Sequence, residues 1–274
     1  MMKIISTSLA MALVLLAPAQ AMAKVGMSVS PKIWMTVENF NAFENAVLRN
    51  KTADRQISIR EQVNIPLVGA AVTFRPGDAP FDILFNFYGG STTGDFYAVA
   101  TTAATEEVDG TYELKRTDVE MLIRWLPENK PWNLFTGFRL NSFKDTQKIT
   151  SAHFWNATGT TKLVTDTSIL LLEMGAGFQA PIDEEGRHRF FGNTTIGFGS
   201  FRSEISNATT VVKKNITKGT AAAWDLNTGY EVFFGDMFSL SARYRMYAKP
   251  TSPMNDGYNL TVIHGPDLGA TLRF

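Results

Sequence analysis

At the carboxy-terminal end of the chain the even positions read Leu260, Val262, His264, Pro266, Leu268, Ala270, Leu272 and Phe274, and the odd positions between them include Thr261, Gly265, Asp267, Gly269, Thr271 and Arg273. A period of two makes this stretch a strand with one oily and one wet face. Alternation recurs upstream around four compact turn signals, at 75–80, 127–131, 181–186 and 235–237, each rich in Pro, Gly or Asp and each reading as the closure of a hairpin. Ten strands result, at about 26–37, 65–75, 81–90, 116–126, 132–143, 167–180, 189–201, 222–234, 238–249 and 259–274. The stretches 38–64, 91–115, 144–166, 202–221 and 250–258 are rich in Thr, Asn, Lys and Asp and read as long loops at the end opposite the turns. Within them 56–63 and 95–102 also alternate, as ribbons that prolong their strands.

The opening segment carries Lys3, an apolar run over 9–17, Pro18 and the small-x-small triplet Ala21-Met22-Ala23. It reads as a secretory signal peptide of residues 1–23, since the apolar run is well short of the ~20 residues a membrane-spanning helix needs. An exported chain whose amphipathic last strand ends on Phe274 resembles the bacterial outer-membrane β-barrel proteins. The resemblance implies an all-β fold for 24–274, a transmembrane antiparallel up-and-down barrel of ten strands, with eight or twelve as the neighbouring even counts. Short turns would lie in the periplasm and long loops outside. It also implies that Leu272 and Phe274 are the signal read by the barrel-assembly machinery, and that the barrel sits among outer-membrane lipid and lipopolysaccharide of a Gram-negative cell.

In such a barrel the facing of each strand follows from energy. The ninth strand carries Phe238, Leu240, Ala242, Tyr244 and Met246 on one parity and Ser239, Ser241, Arg243, Arg245 and Lys249 on the other. An Arg on the lipid face costs about 2–4 kcal/mol near the bilayer midplane, so the arginines face the lumen. The same reasoning turns Val119, Met121, Ile123 and Trp125 outward and leaves Asp118, Glu120 and Arg124 inside. Outward aromatic residues then level beside the short turns as an interfacial girdle: Phe74 and Phe81, Trp125 and Trp132, Phe178 and Phe190, Phe234 and Phe238, and Phe274. A soluble sandwich accounts for neither this levelling nor the contrast of short turns and long loops.

Composition removes alternatives. There is no cysteine, so neither a disulfide nor a lipid thioether is available. Lys and Arg number 26 and Asp and Glu 26; loss of Lys3 with the signal peptide leaves 25 against 26, a balance that argues against a nucleic-acid partner.

The inward parity collects Lys32, Arg75, Arg116, Arg124, Arg139, Arg243, Arg245 and Arg273 against Asp82, Asp118, Glu120, Glu173, Asp225, Glu231 and Asp267. About eight strands make a barrel that its own side chains fill, so ten strands lined with opposed charges should be largely plugged. The central network is expected to comprise Asp118, Glu120, Arg139, Glu173, Glu231, Arg243, Arg245 and Asp267, with Asp118 beside Arg139, Arg245 beside Asp267, and Arg243 diagonal to Glu231. Inward Gly137, Gly175, Gly177, Gly197, Gly199 and Gly229 mark either a narrow passage or relief of bending strain.

Catalytic, metal and cofactor chemistry finds little support. The loops hold neither the paired Asp nor the adjacent Asp-His of omptin-type surface proteases. A barrel lipase needs Ser, His and an acid or amide together; His264 faces outward, His153 stands near Ser151, and His188 falls in a turn. Three scattered His offer no metal spacing, and no cofactor is implied. The Asn-x-Thr triplets at Asn156, Asn193, Asn207, Asn215 and Asn259 match the glycosylation pattern but fit equally the Asn and Thr richness of lumen and loops. Two functions remain: a structural or surface-interaction barrel whose upper loops present Phe40, Phe43, Val47, Leu48, Phe96 and Tyr97, or a narrow porin-like channel for small solutes.

Overall fold

The computed structural model describes residues 25–40, 61–101, 105–128, 130–152, 161–207, 215–253 and 259–274. They form ten strands: β1 (Val25–Phe40), β2 (Glu61–Pro76), β3 (Phe81–Thr101), β4 (Thr105–Trp125), β5 (Trp132–Ala152), β6 (Thr161–Pro181), β7 (His188–Asn207), β8 (Asn215–Phe233), β9 (Phe238–Pro253) and β10 (Asn259–Arg273). Each pairs antiparallel with its neighbours in the chain, and β1 pairs with β10, so the sheet closes on itself. The expected signal peptide lies outside the described residues.

Closure sets the tilt of the strands. Partners followed from Met27 through Phe74, Ile83, Ile123, Thr136, Met174, Ile196, Trp224 and Ala248 arrive at Val262. The β1–β10 register joins Val37 to His264 and so carries Val262 to position 39, 12 residues above position 27. A stagger slightly larger than the strand number belongs to a barrel tilted by roughly 35–45°.

Along each strand the pleat sorts side chains by polarity, with the usual order reversed. Phe138 is 55% exposed while Arg139, its neighbour in sequence, is 1% exposed. Outside, an apolar band runs over residues such as Ile123, Leu140, Leu172, Phe198, Leu240 and Leu268; inside lie charged groups with a buried cluster of Trp34, Ile65, Leu67, Tyr88, Leu171, Tyr247 and Ile263. Such an exterior is stable only against hydrocarbon.

The short connections fall where the turn signals stood, at 77–80, 126–131, 182–187 and 234–237. Gly186 and Gly235 have φ of 66° and 83°, a region that a β-carbon disfavours, and each stands in its turn for that reason. The strands, however, climb well beyond their expected upper ends: β3 continues to Thr101 against Thr105 of β4, and β5 to Ala152. Much of 91–115, 144–166 and 202–221 is therefore ladder and not loop. Above the apolar band the sequence is richer in polar residues, and backbone pairing persists after the regular hydrophobic alternation has ended. The ribbon expected at 95–102 is real as far as Thr101; of the one expected at 56–63, Glu61 to Val63 belong to β2 and the rest lies outside the described residues.

Candidate functional site

The lumen at mid-height is crossed by hydrogen-bonded side chains. Lys32 donates to Asn86 at 3.1 Å, and Asn86 donates through Nδ2 to Glu120 at 2.5 Å. Arg139 Nη2 then donates both to Glu120 and to Asp225 at 2.7 Å. Arg245 forks onto the same Asp225 carboxylate through Nε and Nη2. Arg139 also lies 3.4 Å from Asp118 and 3.2 Å from Glu173, so one guanidinium gathers four carboxylates. Ionised groups so far from water persist only with partners of this kind.

Aromatic rings pack around these charges. The Arg245 guanidinium sits 4.7 Å from the Trp34 ring centre, and that of Arg139 4.7 Å from Tyr247. Tyr247 donates its hydroxyl hydrogen to Asn141, while Tyr88 donates to Asp267 at 2.8 Å and accepts from Arg243 at 2.9 Å. Arg116, 2% exposed, lies within reach of Trp34, Phe143 and Tyr247, with Asp118 at 3.6 Å. Below the centre, Arg124 is bidentate on Asp82 at 3.0 and 2.6 Å, and Arg273 donates to Glu231 at 2.7 Å.

Of the eight expected network residues, seven meet at or near mid-lumen: Asp118, Glu120, Arg139, Glu173, Arg243, Arg245 and Asp267. Glu231 does not; it serves Arg273 and Ser239 at the short-turn end. The pairings also differ. Arg245 takes Asp225 and leaves Asp267 to Arg243, because the directly opposed partners are Asp267 and Arg243. Trp125 stands opposite Leu134 and not Trp132, so Asp118 faces Asn141 and reaches Arg139 only diagonally. The two Trp rings still meet edge-on at 5.5 Å. Trp34, Asn86, Tyr88, Asn141 and Tyr247 were not anticipated in the network, although each shares its parity with a lumen charge on the same strand.

The inward glycines lie where neighbours occupy the space. A β-carbon at Gly175 would stand 2.3 Å from the Phe135 ring, and one at Gly229 2.4 Å from the Arg243 β-carbon. Asn193 faces the lumen and donates to Asn227 at 3.0 Å. Outside, Phe81, Trp125, Trp132, Phe178, Phe190, Phe234 and Phe274 are exposed, with Phe74 and Phe238 partly covered. Phe178 contacts Phe190 at 5.8 Å between ring centres, and Phe234 contacts Phe238 at 5.7 Å. Phe274 donates its N–H to Met27 at 2.8 Å and accepts from Met27 at 3.3 Å, which joins the chain ends. On the outer face His264 stacks on Tyr244, its Nδ1 2.6 Å from the hydroxyl, and His188 contacts Tyr230 likewise. His153 lies outside the described residues.

The fold is matched by solved structures. The outer membrane protease OmpT from Escherichia coli superposes with a TM-score of 0.54 at 10% identity, over 92% of this chain and 97% of that one. The translocator domain of the autotransporter NalP from Neisseria meningitidis gives 0.50 at 9% identity, over 99% and 97%. The chain has the fold of a Gram-negative outer-membrane β-barrel. No protein-family model matches it, and neither does any curated protein sequence. In a barrel of this fold the exposed apolar band is the surface that meets lipid. The two structures carry different functions in their names, so the likeness conveys architecture and not activity.

Proposed function

We propose that this outer-membrane barrel is a non-conducting, side-chain-filled scaffold whose work is done at its extracellular end, as a structural or surface-interaction protein. The observation that carries the reading is the bond of Arg139 to Asp225 at 2.7 Å, which spans the lumen between β5 and β8 with two strands of the wall between them. With Glu120, Glu173 and Arg245 held to the same pair and Trp34, Tyr88 and Tyr247 packed on it, ions have no hydrated path at that height. The filled spaces beside Gly175 and Gly229 support the strain-relief role for the inward glycines over a passage. On this reading the aromatic residues at the short turns anchor the barrel at the periplasmic interface, and Leu272 and Phe274 serve its assembly. The protein needs no catalytic group, metal or cofactor. Recognition then falls to the upper strand ends and the segments joining them, where Phe40, Phe43, Val47, Leu48, Phe96 and Tyr97 occur in sequence.

Liposome swelling tests this reading. Vesicles carrying the purified protein and challenged with small sugars should swell no faster than empty vesicles. Swelling at a rate proportional to protein content would replace the proposal with a small-solute channel.

A further inference from the structure

The seam between β2 and β3 stops short of the strands that make it. They pair from Phe74 with Ile83 up to Val68 with Gly89, and there their ladder ends. Both strands go on, β2 to Glu61 against β1 and β3 to Thr101 against β4. Continued by two residues, the register would set Pro66 against Ser91, and a proline has no N–H to give. The strands part from a tight contact, since a β-carbon on Gly90 would stand 2.2 Å from the Pro66 carbonyl oxygen. Gly89 follows directly on the exposed apolar run of Phe81, Phe85 and Phe87, so the main chain beyond it leaves the apolar band and meets water, where unpaired groups are tolerated.

The bond from the Leu126 N–H to the Pro80 carbonyl, at 2.7 Å, sets the phase of the β3–β4 ladder. Even residues of β3 bond to β4. The odd residues Ser91, Thr93, Asp95, Tyr97 and Val99 direct their main-chain N–H and C=O to the other side, where no described residue pairs with them. An open edge of this kind is a template for a further strand, and proteins that suppress it do so with Lys, Pro or a short edge. The stretch Gly90–Thr101 holds neither Lys nor Pro and is rich in Thr, Phe, Tyr and Val, which favour strands. The facing stretch of β2 is blunted by Pro66. Charge selects what the open edge would take. Asp95 on β3 and Glu107, Asp109 and Glu113 on β4 fall on one parity of the hairpin. Lys115 engages Glu113 at 2.8 Å, while Lys144 and Lys148 belong to β5, with β4 between them and the edge.

We propose that the β3 edge from Ser91 to Val99 docks an extended, basic segment of a partner protein, which adds a strand to the sheet. The inference rests on the surface-interaction reading and names its site and the chemistry of its partner. Main-chain bonds supply the affinity, and Lys or Arg side chains set against the acidic parity supply the selectivity. A second copy in the same membrane is disfavoured. Its β3 climbs in the same direction with the same tilt, so a two-fold axis along the membrane normal crosses the two edges instead of aligning them, and its acids would meet these acids.

The experiment uses the full protein folded in neutral detergent and a short fluorescent peptide of alternating Lys and Val, whose binding is read by anisotropy. One control peptide has the same side chains with its main-chain nitrogens methylated, and another has Glu in place of Lys. Amide hydrogen exchange follows Ser91, Thr93, Asp95, Tyr97 and Val99, and heat-modifiable gel mobility reads folding separately. Wild type should bind the basic peptide, protect those amides on binding, and bind either control at least about tenfold more weakly. Thr93→Pro removes an edge donor and leaves the bonds to β4, and should weaken binding about tenfold. Asp95→Asn with Glu107→Gln should narrow the preference for Lys over Glu, while Glu185→Gln, in a short turn, should change nothing. Equal binding of the methylated peptide would overturn the proposal, whether or not Thr93→Pro folds. So would unaltered binding by folded Thr93→Pro, or edge amides already protected in the free protein, which would mean that the chain fills its own edge. Liposome swelling by wild type would instead remove the filled-lumen scaffold without touching peptide binding, so the two readings fail separately.

Discussion

Arg139 on β5 and Asp225 on β8 are bonded at 2.7 Å although two strands, β6 and β7, stand between them in the sheet. Pairs between adjacent strands line a wall, whereas this pair crosses the space that the wall encloses. Tyr88 on β3 and Asp267 on β10 do the same at 2.8 Å, as do Tyr247 on β9 and Asn141 on β5. The lumen is thereby bound together as a core of charges and rings, while the hydrophobic surface faces outward.

Removing the hub of that core should be costly. Arg139→Ala leaves Asp118, Glu120, Glu173 and Asp225 without their shared cation, and breaking a buried pair in this way typically costs about 3–5 kcal/mol. Urea unfolding in lipid vesicles should register a loss of that order, with Arg139→Lys falling between the variant and wild type because one ammonium cannot reach all four acids.

The girdle pair Trp125 and Trp132 touches diagonally, at 5.5 Å between ring centres. A double-mutant cycle on Trp125→Leu and Trp132→Leu should give a coupling of about 0.5–1.5 kcal/mol. Zero coupling would mean that the rings do not meet in the membrane.

Closure depends on Phe274, whose backbone exchanges two hydrogen bonds with Met27. Deleting Phe274, or replacing Leu272 and Phe274 with Asp, should leave the protein exported but not inserted, since strand edges in lipid keep unpaired polar groups. Outer-membrane fractions of these variants should lack the heat-modifiable band, and its normal recovery would contradict a role for the terminal strand in assembly.

In the β6–β7 turn the Asp183 carboxylate accepts the N–H of His188 at 2.9 Å and that of Arg187 at 3.2 Å, and these bonds hold its pKa below the ordinary Asp range. A depressed carboxyl contributes stability above its unfolded pKa and loses it as pH falls through the folded value. The melting temperature of Asp183→Asn should therefore lie below that of wild type at pH 7, with the gap closing as pH falls below about 3.9. A gap unchanged down to pH 2 would assign the effect to turn geometry alone.

How much of this was legible in sequence differs by level. Phe238 to Met246 against Ser239 to Arg245 reveals facing without a structure, because an arginine in lipid is costly and its neighbours of opposite parity are not. Ten strands followed from the same alternation and the turn signals. The register followed in one hairpin and not in another: Phe234 does stand opposite Phe238, but Trp125 and Trp132 suggested a pair where edge-on rings meet on the diagonal, which shifts the lumen partners of β4 and β5 by two residues. Nor could adjacency name partners for Arg139 and Arg245, whose side chains are long enough to cross a narrow bore and settle on one Asp225. Trp34, Tyr88 and Tyr247 share parity with Lys32, Asn86 and Arg245, and that signal could have placed them inside; their aromatic character pointed instead toward lipid.

A lumen opened at its centre should behave differently. Replacing Arg243 and Arg245 together with Ala removes two bulky cations, leaves Asp225 with Arg139 alone and Asp267 with the Tyr88 hydroxyl alone, and draws in water to solvate them. The double variant should conduct ions in planar bilayers, and a silent variant would mean that the remaining side chains suffice to seal the bore.

The most direct test is the steady conductance of the purified wild-type protein in the same bilayers. A bore crossed by Arg139 and Asp225 should give little or no stable current above the bare membrane at moderate voltage. Large, stable, voltage-independent wild-type channels would contradict a filled lumen.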